Sequence, residues 1–304
     1  MVDTFFRSLV EPGLLSSGPV RTAAVVGGVA AVVSGVVGAF TVMRGQSFAG
    51  HALADVSAAG GSASFLIGIS PLLGFVGMAG IAAGGMEAIG VQRARGRDLA
   101  TGIVLGAGLG LAALLLYFDS TSTSTTGAAI TVLFGSMFAV SSSMIPMVTG
   151  LSAAVLVTVL VVYRPLLLSS VDADLAAVRG VRVRLTETLH LLALAAAVAL
   201  SALTIGAILS TALLIGPGAA ALRITRRPGW SLVWAAAIGL VCTWLGILLA
   251  YDSYDWSSSH RGWPVSFFVV ALVFVAYLLA GLRLHDRRSP TDPVGSARAG
   301  NGGS

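Results

Sequence analysis

Between Gly45 and Gly60 the sequence reads GQSFAGHALADVSAAG, which places an imidazole, His51, four residues before a carboxylate, Asp55. On a helix, residues four apart share a face, one above the other. A nitrogen and an oxygen donor on a common face can hold a divalent first-row metal such as zinc or manganese. The same two groups can instead serve as packing glue, bonded to each other or to a neighbouring helix. Their surroundings sharpen the question, because they lie inside a long apolar region. Ionisable groups are expensive there, and they face a bundle interior or an ion pathway.

Other polar side chains invite the same question. Glu187 and His190 form a second spaced pair, and Glu87 ends another apolar run. All three fall near the arginine-rich ends of their segments, where charge is cheap, so they read as structural, with an inner metal exit as the alternative. His260 lies near Asp252 and Asp255 in a hydrophilic stretch and reads as a solvated loop histidine. The nucleophile-and-base constellations of hydrolases are absent.

The elements that must position these groups are set by composition. Hydrophobic residues make up 56% of the 304-residue chain and charged residues 10%, whereas a soluble domain carries about a quarter charged residues. Apolar windows of about twenty residues recur from Arg21 to Leu282, the length a helix needs to cross a bilayer. The abundance of Gly, Ala and Ser suits close helix packing in lipid, and the short alternating segments of a barrel are missing. The expected fold is therefore all-α, a polytopic helical membrane protein with eight or nine transmembrane helices. No soluble segment is large enough to hold a nucleotide-binding fold. The single cysteine, Cys242, has no internal disulfide partner and reads as a small core residue.

The net charge of +5 comes from arginine alone, since the chain has no lysine. The arginines cluster at positions 93–97, 164, 179–184, 223–227 and 283–288, a positive-inside pattern and not a nucleic-acid patch. Only Arg7, Arg21 and Arg261 fall on the other side. The C-terminus is expected inside, and the N-terminus outside if there are nine crossings.

In chain order, residues 1–19 read as an interfacial lead-in without the basic flank of a signal peptide, and residues 20–284 as the transmembrane domain. Spans are expected at about 21–43, 47–69, up to 90, 98–117 with Asp98 as N-cap, and 145–162. The Ser/Thr-rich stretch DSTSTSTTG after Tyr117 reads as an outer loop, and 128–140 as too short to cross. The polar break LLLSSVDADLAAVRGVRVRL reads as one short cytoplasmic helix, capped by Ser170 or Asp172 and ended by Gly180. Further spans follow at about 185–203, 208–222 (barely long enough), 232–251 and 265–282. Tyr254, Trp256 and Trp263 read as interface anchors, and residues 285–304 as a disordered tail.

Several blocks, in order, resemble the integral-membrane permeases of zinc and manganese ATP-binding cassette importers, over about residues 36–282. The family's Gly-Asp-Ala-Leu-Ser-His block is similar to Gly50, His51, Ala52, Leu53, Ala54 and Asp55, with Gly60 at its glycine and Ala59 where proline is usual. RARGRDLATGIV (93–104), Leu133-Phe134-Gly135, the VDADLAAVRG stretch and IGAILSTALLIGPGAAA (205–221) resemble four further family blocks. In the first block the aspartate and histidine are exchanged. The donor set and spacing survive, but each donor has changed height.

The resemblance implies a vitamin-B12/metal-importer-like permease bundle without enzymatic activity or cofactor. It also implies that the helix over about 171–180 couples to an ATPase, through Asp172, Asp174, Ala176 and Gly180. The implied metal ligands are His51 and Asp55. The implied partners are a cytoplasmic ATP-binding subunit, an extracytoplasmic metal-binding protein, a second permease protomer and the transported divalent metal ion, in the cytoplasmic membrane. Two alternatives remain open at this point: a permease for a metal chelate of the siderophore or cobalamin type, and an ion-coupled secondary transporter. The first has no need of His51 and Asp55. The second predicts inverted repeats that the sequence does not show.

Overall fold

The protein is described by a computed structural model over residues 17–89, 94–122, 127–256 and 262–286. Among the described residues every regular element is helical. The α-helices are α1 (Gly18–Met43), α2 (Ser47–Ile67), α3 (Pro71–Ile89), α4 (Ala94–Ser122), α5 (Gly127–Phe134), α6 (Ile145–Val161), α7 (Tyr163–Val171), α8 (Ala173–Val178), α9 (Val183–Ile205), α10 (Ala207–Ile224), α11 (Pro228–Trp256) and α12 (Val265–Asp286). Two short 3₁₀ turns join α5 to α6. Among the described residues eight helical segments are long and apolar enough to cross a membrane. The helix that carries His51 and Asp55, α2, is too polar for that group, yet its 21 residues span about 32 Å at 1.5 Å per residue. That length is enough to span the hydrocarbon core of a bilayer.

Tight turns join the first three helices. Gly45 (φ +64°) lets the chain reverse between α1 and α2. Gly68 (φ +75°) closes α2 in the left-handed conformation, its N–H on the Ser64 carbonyl at 2.9 Å. Proline then opens α3, where a missing N–H costs nothing. The resulting hairpin brings Gly60 of α2 against the Gly74 carbonyl of α3, a spacing no Cβ would permit.

The most enclosed helices are α1 and α9. They share one hydrophobic core with α2, built on large side chains such as Phe40, Leu53, Leu194 and Leu214. Lipid is as apolar as leucine, so close van der Waals packing and small residues hold such helices together. This explains why the centre is rich in Gly, Ala and Ser, while the bulky apolar residues Ile81, Leu160 and Phe274 face outward.

Several boundaries differ from the sequence reading. Helix α4 begins at Ala94, so Asp98 lies inside it and is not its cap. The same helix runs on through Asp119 to Ser122, because the buried positions 108, 112 and 119 continue one helical face past Tyr117. The 128–140 stretch does not cross. It forms α5, eight residues long, and ends at Gly135, whose backbone abuts Gly206 between α9 and α10. The segment at 208–222 is a full helix of 18 residues, α10, with Pro217 inside it. The polar break holds two helices, α7 and α8, joined through the single residue Asp172. The proposed lead-in up to residue 16, His260 and the tail beyond residue 286 lie outside the described residues.

Candidate metal path and coupling helix

Helix α2 is buried on nearly every side. It packs on α3 and α4, with Gly108 of α4 against Val56 and Gly61 against the Phe75 ring. Gly50, beside His51, faces the Leu214 side chain of α10. Two of its buried hydroxyls are satisfied locally: Ser57 Oγ donates to the Ala54 carbonyl at 2.7 Å and Ser64 Oγ to the Gly61 carbonyl at 2.6 Å. In the first half of the helix one narrow stripe escapes this enclosure, and Phe48, His51 and Asp55 form it at spacings of three and four.

On that stripe His51 Nε2 lies 3.5 Å from Asp55 Oδ2, with side-chain exposures of 46% and 12%. The separation is longer than a formed N–H···O bond. The two groups face the same space as an i,i+4 ion pair and set one nitrogen and one oxygen donor side by side. Among the described residues no group of three or more His, Cys, Asp or Glu converges on one point. One protomer thus offers two donors, short of the four of a closed structural zinc site.

Seven residues further along the same helix, Ser62 Oγ donates a hydrogen bond to the Asp119 carboxylate of α4, and both side chains are fully buried. Sequence reading places Asp119 in an outer loop and misses this contact. The signal was there in the apolar period that runs through position 119.

The second polar centre lies at the arginine-rich end. Arg44, just past α1, donates to Ser169 Oγ at 2.9 Å and Ser170 Oγ at 3.3 Å on α7, and to Glu187 Oε1 at 3.1 Å on α9. Glu87 of α3 accepts from Thr188 Oγ1 at 2.6 Å and lies 3.8 Å from Arg184. His190, one turn beyond Glu187, is buried with neither ring nitrogen hydrogen-bonded among the described residues, and its ring meets Phe40 edge-on at 6.4 Å. Glu87 and Glu187 are thus engaged in ties between helices. A guanidinium beside Glu187 and His190 makes that corner unfavourable for a second cation.

Next along the chain stands α8. Asp172 caps it by accepting the Leu175 N–H at 2.9 Å, Asp174 sits exposed in its first turn, and Gly180 closes the segment at φ +79°. Ala176 is turned inward and fully buried, whereas Val171, Leu175 and Val178 are 81%, 43% and 85% exposed. An apolar surface beside a charged loop suits a protein partner.

Known proteins resemble this chain in sequence and fold. The manganese transport system membrane protein MntC of Listeria innocua is 29% identical over 268 residues, 88% of this chain and 93% of that protein. MntC of Halalkalibacterium halodurans is 30% identical over 271 residues, 89% of each chain. Among solved structures, PsaBC from Streptococcus pneumoniae in complex with Fab superposes with a TM-score of 0.75 at 25% identity, over 92% of this chain and 95% of that one. A second solved ABC transporter, in an inward-facing conformation, shares the fold with a TM-score of 0.68 at 17% identity, over 86% of this chain and 84% of that one. Residues 18–281 match the model of the ABC 3 transport family, and the chain belongs to that family.

Proposed function

We propose that this protein is the permease subunit of an ABC importer that carries a divalent transition metal ion, manganese or zinc, across the cytoplasmic membrane. The observation that carries the metal assignment is the exposed stripe of α2, where an imidazole and a carboxylate stand side by side in the otherwise enclosed first half of the helix. Asp55 supplies a negative charge to offset the ion's lost hydration, and His51 supplies a nitrogen donor. Two donors bind weakly enough to release the ion again, as conduction requires. A second protomer facing the same stripe brings the donor count to four, which a tetrahedral ion accepts.

The arginine-rich end faces the cytoplasm by the positive-inside rule. There α8 docks onto a cytoplasmic ATP-binding subunit, which supplies the energy, through Val171, Leu175 and Val178. Asp172 and Gly180 shape that helix, Asp174 borders it and Ala176 seats it. An extracytoplasmic metal-binding protein delivers the ion at the other end. From there it meets Asp55 first and His51 about 6 Å later, one turn at 1.5 Å per residue.

The test is ATP-dependent uptake of Mn²⁺ and Zn²⁺ into proteoliposomes holding the assembled complex. Uptake of either ion, lost on replacing both His51 and Asp55 by alanine, is the expected result. Full uptake by the double alanine variant overturns the metal path. Uptake of a ferric siderophore or cobalamin in place of free ions would move the cargo to the chelate class.

A further inference from the structure

We propose that Arg44 is the residue through which the coupling helix drives α2, so that the stroke of the ATPase reaches His51 and Asp55 by way of one guanidinium. The inference rests on the importer reading above and adds the transmission route to it.

Three observations carry it. First, α7 and α8 form one lever. Asp172 is at once the C-cap of α7 and the N-cap of α8, so no slack separates the docking side chains from Ser169 and Ser170. Second, Arg44 grips that lever. Its Nη1 donates to both serine hydroxyls and its Nη2 to Glu187. The serine hydroxyls give their own protons to the Leu166 carbonyl, at 3.1 and 2.6 Å, which leaves their oxygens free to accept from Arg44. The side chains of Arg44 and Glu187 are only 5% and 17% exposed, and a buried charge pair is screened little by salt or water. Third, Arg44 sits at the root of the metal-bearing helix. Only the Gly45–Gln46 turn separates it from α2, and His51 follows seven residues later.

An aromatic contact runs parallel to the ionic one. Phe40, one turn before Arg44, meets Tyr163 at the start of α7 edge-on at 6.0 Å and His190 of α9 at 6.4 Å. Lever, α2 root and α9 are therefore clasped at two levels, and Arg44 holds the level nearest the coupling helix. Rigid elements joined in this way pass on a displacement that a flexible linker would absorb.

The experiment reads metal ion taken up per ATP hydrolysed by the assembled transporter in proteoliposomes, for the unaltered protein, Arg44→Ala, Arg44→Lys and the Ser169→Ala/Ser170→Ala pair. The expected result is at least a tenfold fall in that ratio for Arg44→Ala, a smaller fall for the serine pair and partial recovery in Arg44→Lys. Where Arg44→Ala does not assemble, the serine pair decides, because it leaves the Arg44–Glu187 ion pair in place. An unchanged ratio in an assembled Arg44→Ala complex, or in the serine pair where that decides, overturns the proposal. The ratio is read with whichever of Mn²⁺ and Zn²⁺ the unaltered complex takes up; absence of ATP-driven uptake of both ions would strike the importer reading instead, and the two failures are thereby distinguished.

Discussion

His51 stands in the open while Asp55, one turn along the same helix and 3.5 Å away, is mostly enclosed. The asymmetry separates stability from transport. Truncating an exposed side chain shifts stability by about 0.5 kcal/mol or less. His51→Ala should therefore leave thermal unfolding unchanged and still cut Mn²⁺ uptake at least tenfold, because half of the donor set is gone. A packing role would give the reverse: lower yield, with uptake per folded complex intact. The double exchange His51→Asp with Asp55→His restores the order that the resemblance implies. It should keep substantial uptake, with the Mn²⁺-to-Zn²⁺ preference shifted in competition assays.

The helix crossings at the centre depend on missing side chains. A Cβ at Gly38 would overlap the Leu214 carbonyl of α10, and one at Gly60 would overlap the Gly74 carbonyl of α3. Backbone cannot step aside as a flexible side chain can, so Gly38→Ala and Gly60→Ala should each cost at least about 1–3 kcal/mol. Gly84, on the open side of α3, has nothing within 4 Å of its would-be Cβ. Gly84→Ala should leave the protomer's melting temperature in detergent where it was. Equal losses at all three positions would mean that these crossings are not as drawn.

How much of this was legible in the sequence follows from which signals are local. Apolar runs and arginine clusters are set by the bilayer, and they give the class, the spans and the arginine-rich end directly. The pairing of His51 with Asp55 follows from spacing alone. What could not be read were contacts between residues far apart in sequence. Arg44 looked like the end of a span, and its grip on Ser169, Ser170 and Glu187 needs three helices to meet. The burial of Ala176 was hidden for a similar reason, since a six-residue helix is too short for a period to reveal its inner face.

The Ser62–Asp119 bond offers a second check on packing, independent of any metal. Both groups are fully buried, so Ser62→Ala leaves the carboxylate with one donor fewer in a dry setting, at a cost of about 1–3 kcal/mol. Replacing both at once, Ser62→Ala with Asp119→Leu, removes the carboxylate that needs the donor. The double variant should therefore be more stable than the sum of the two single changes, with a coupling of at least about 0.5 kcal/mol in a double-mutant cycle. Strict additivity would show that the contact contributes nothing to the fold.

The face of the coupling helix can be tested by setting two neighbours against each other. Val178 is 85% exposed and Ala176 is fully buried, although only one residue separates them. If α8 seats on the permease by Ala176 and meets the ATPase through Val171, Leu175 and Val178, the two positions must respond differently to the same charge. Val178→Glu puts a carboxylate where water already reaches it, so the permease should keep its yield and melting temperature. An apolar contact with the ATPase cannot accept that charge without desolvating it, so co-purification of the ATP-binding subunit should fall at least tenfold. Ala176→Glu forces a larger, charged side chain into a filled space. It should lower the permease's own stability first, whether or not the ATPase is present. A Val178→Glu permease that still captures its ATPase fully would place the docking surface elsewhere. An Ala176→Glu permease that melts normally and only fails to dock would put Ala176 on the outer face of the helix.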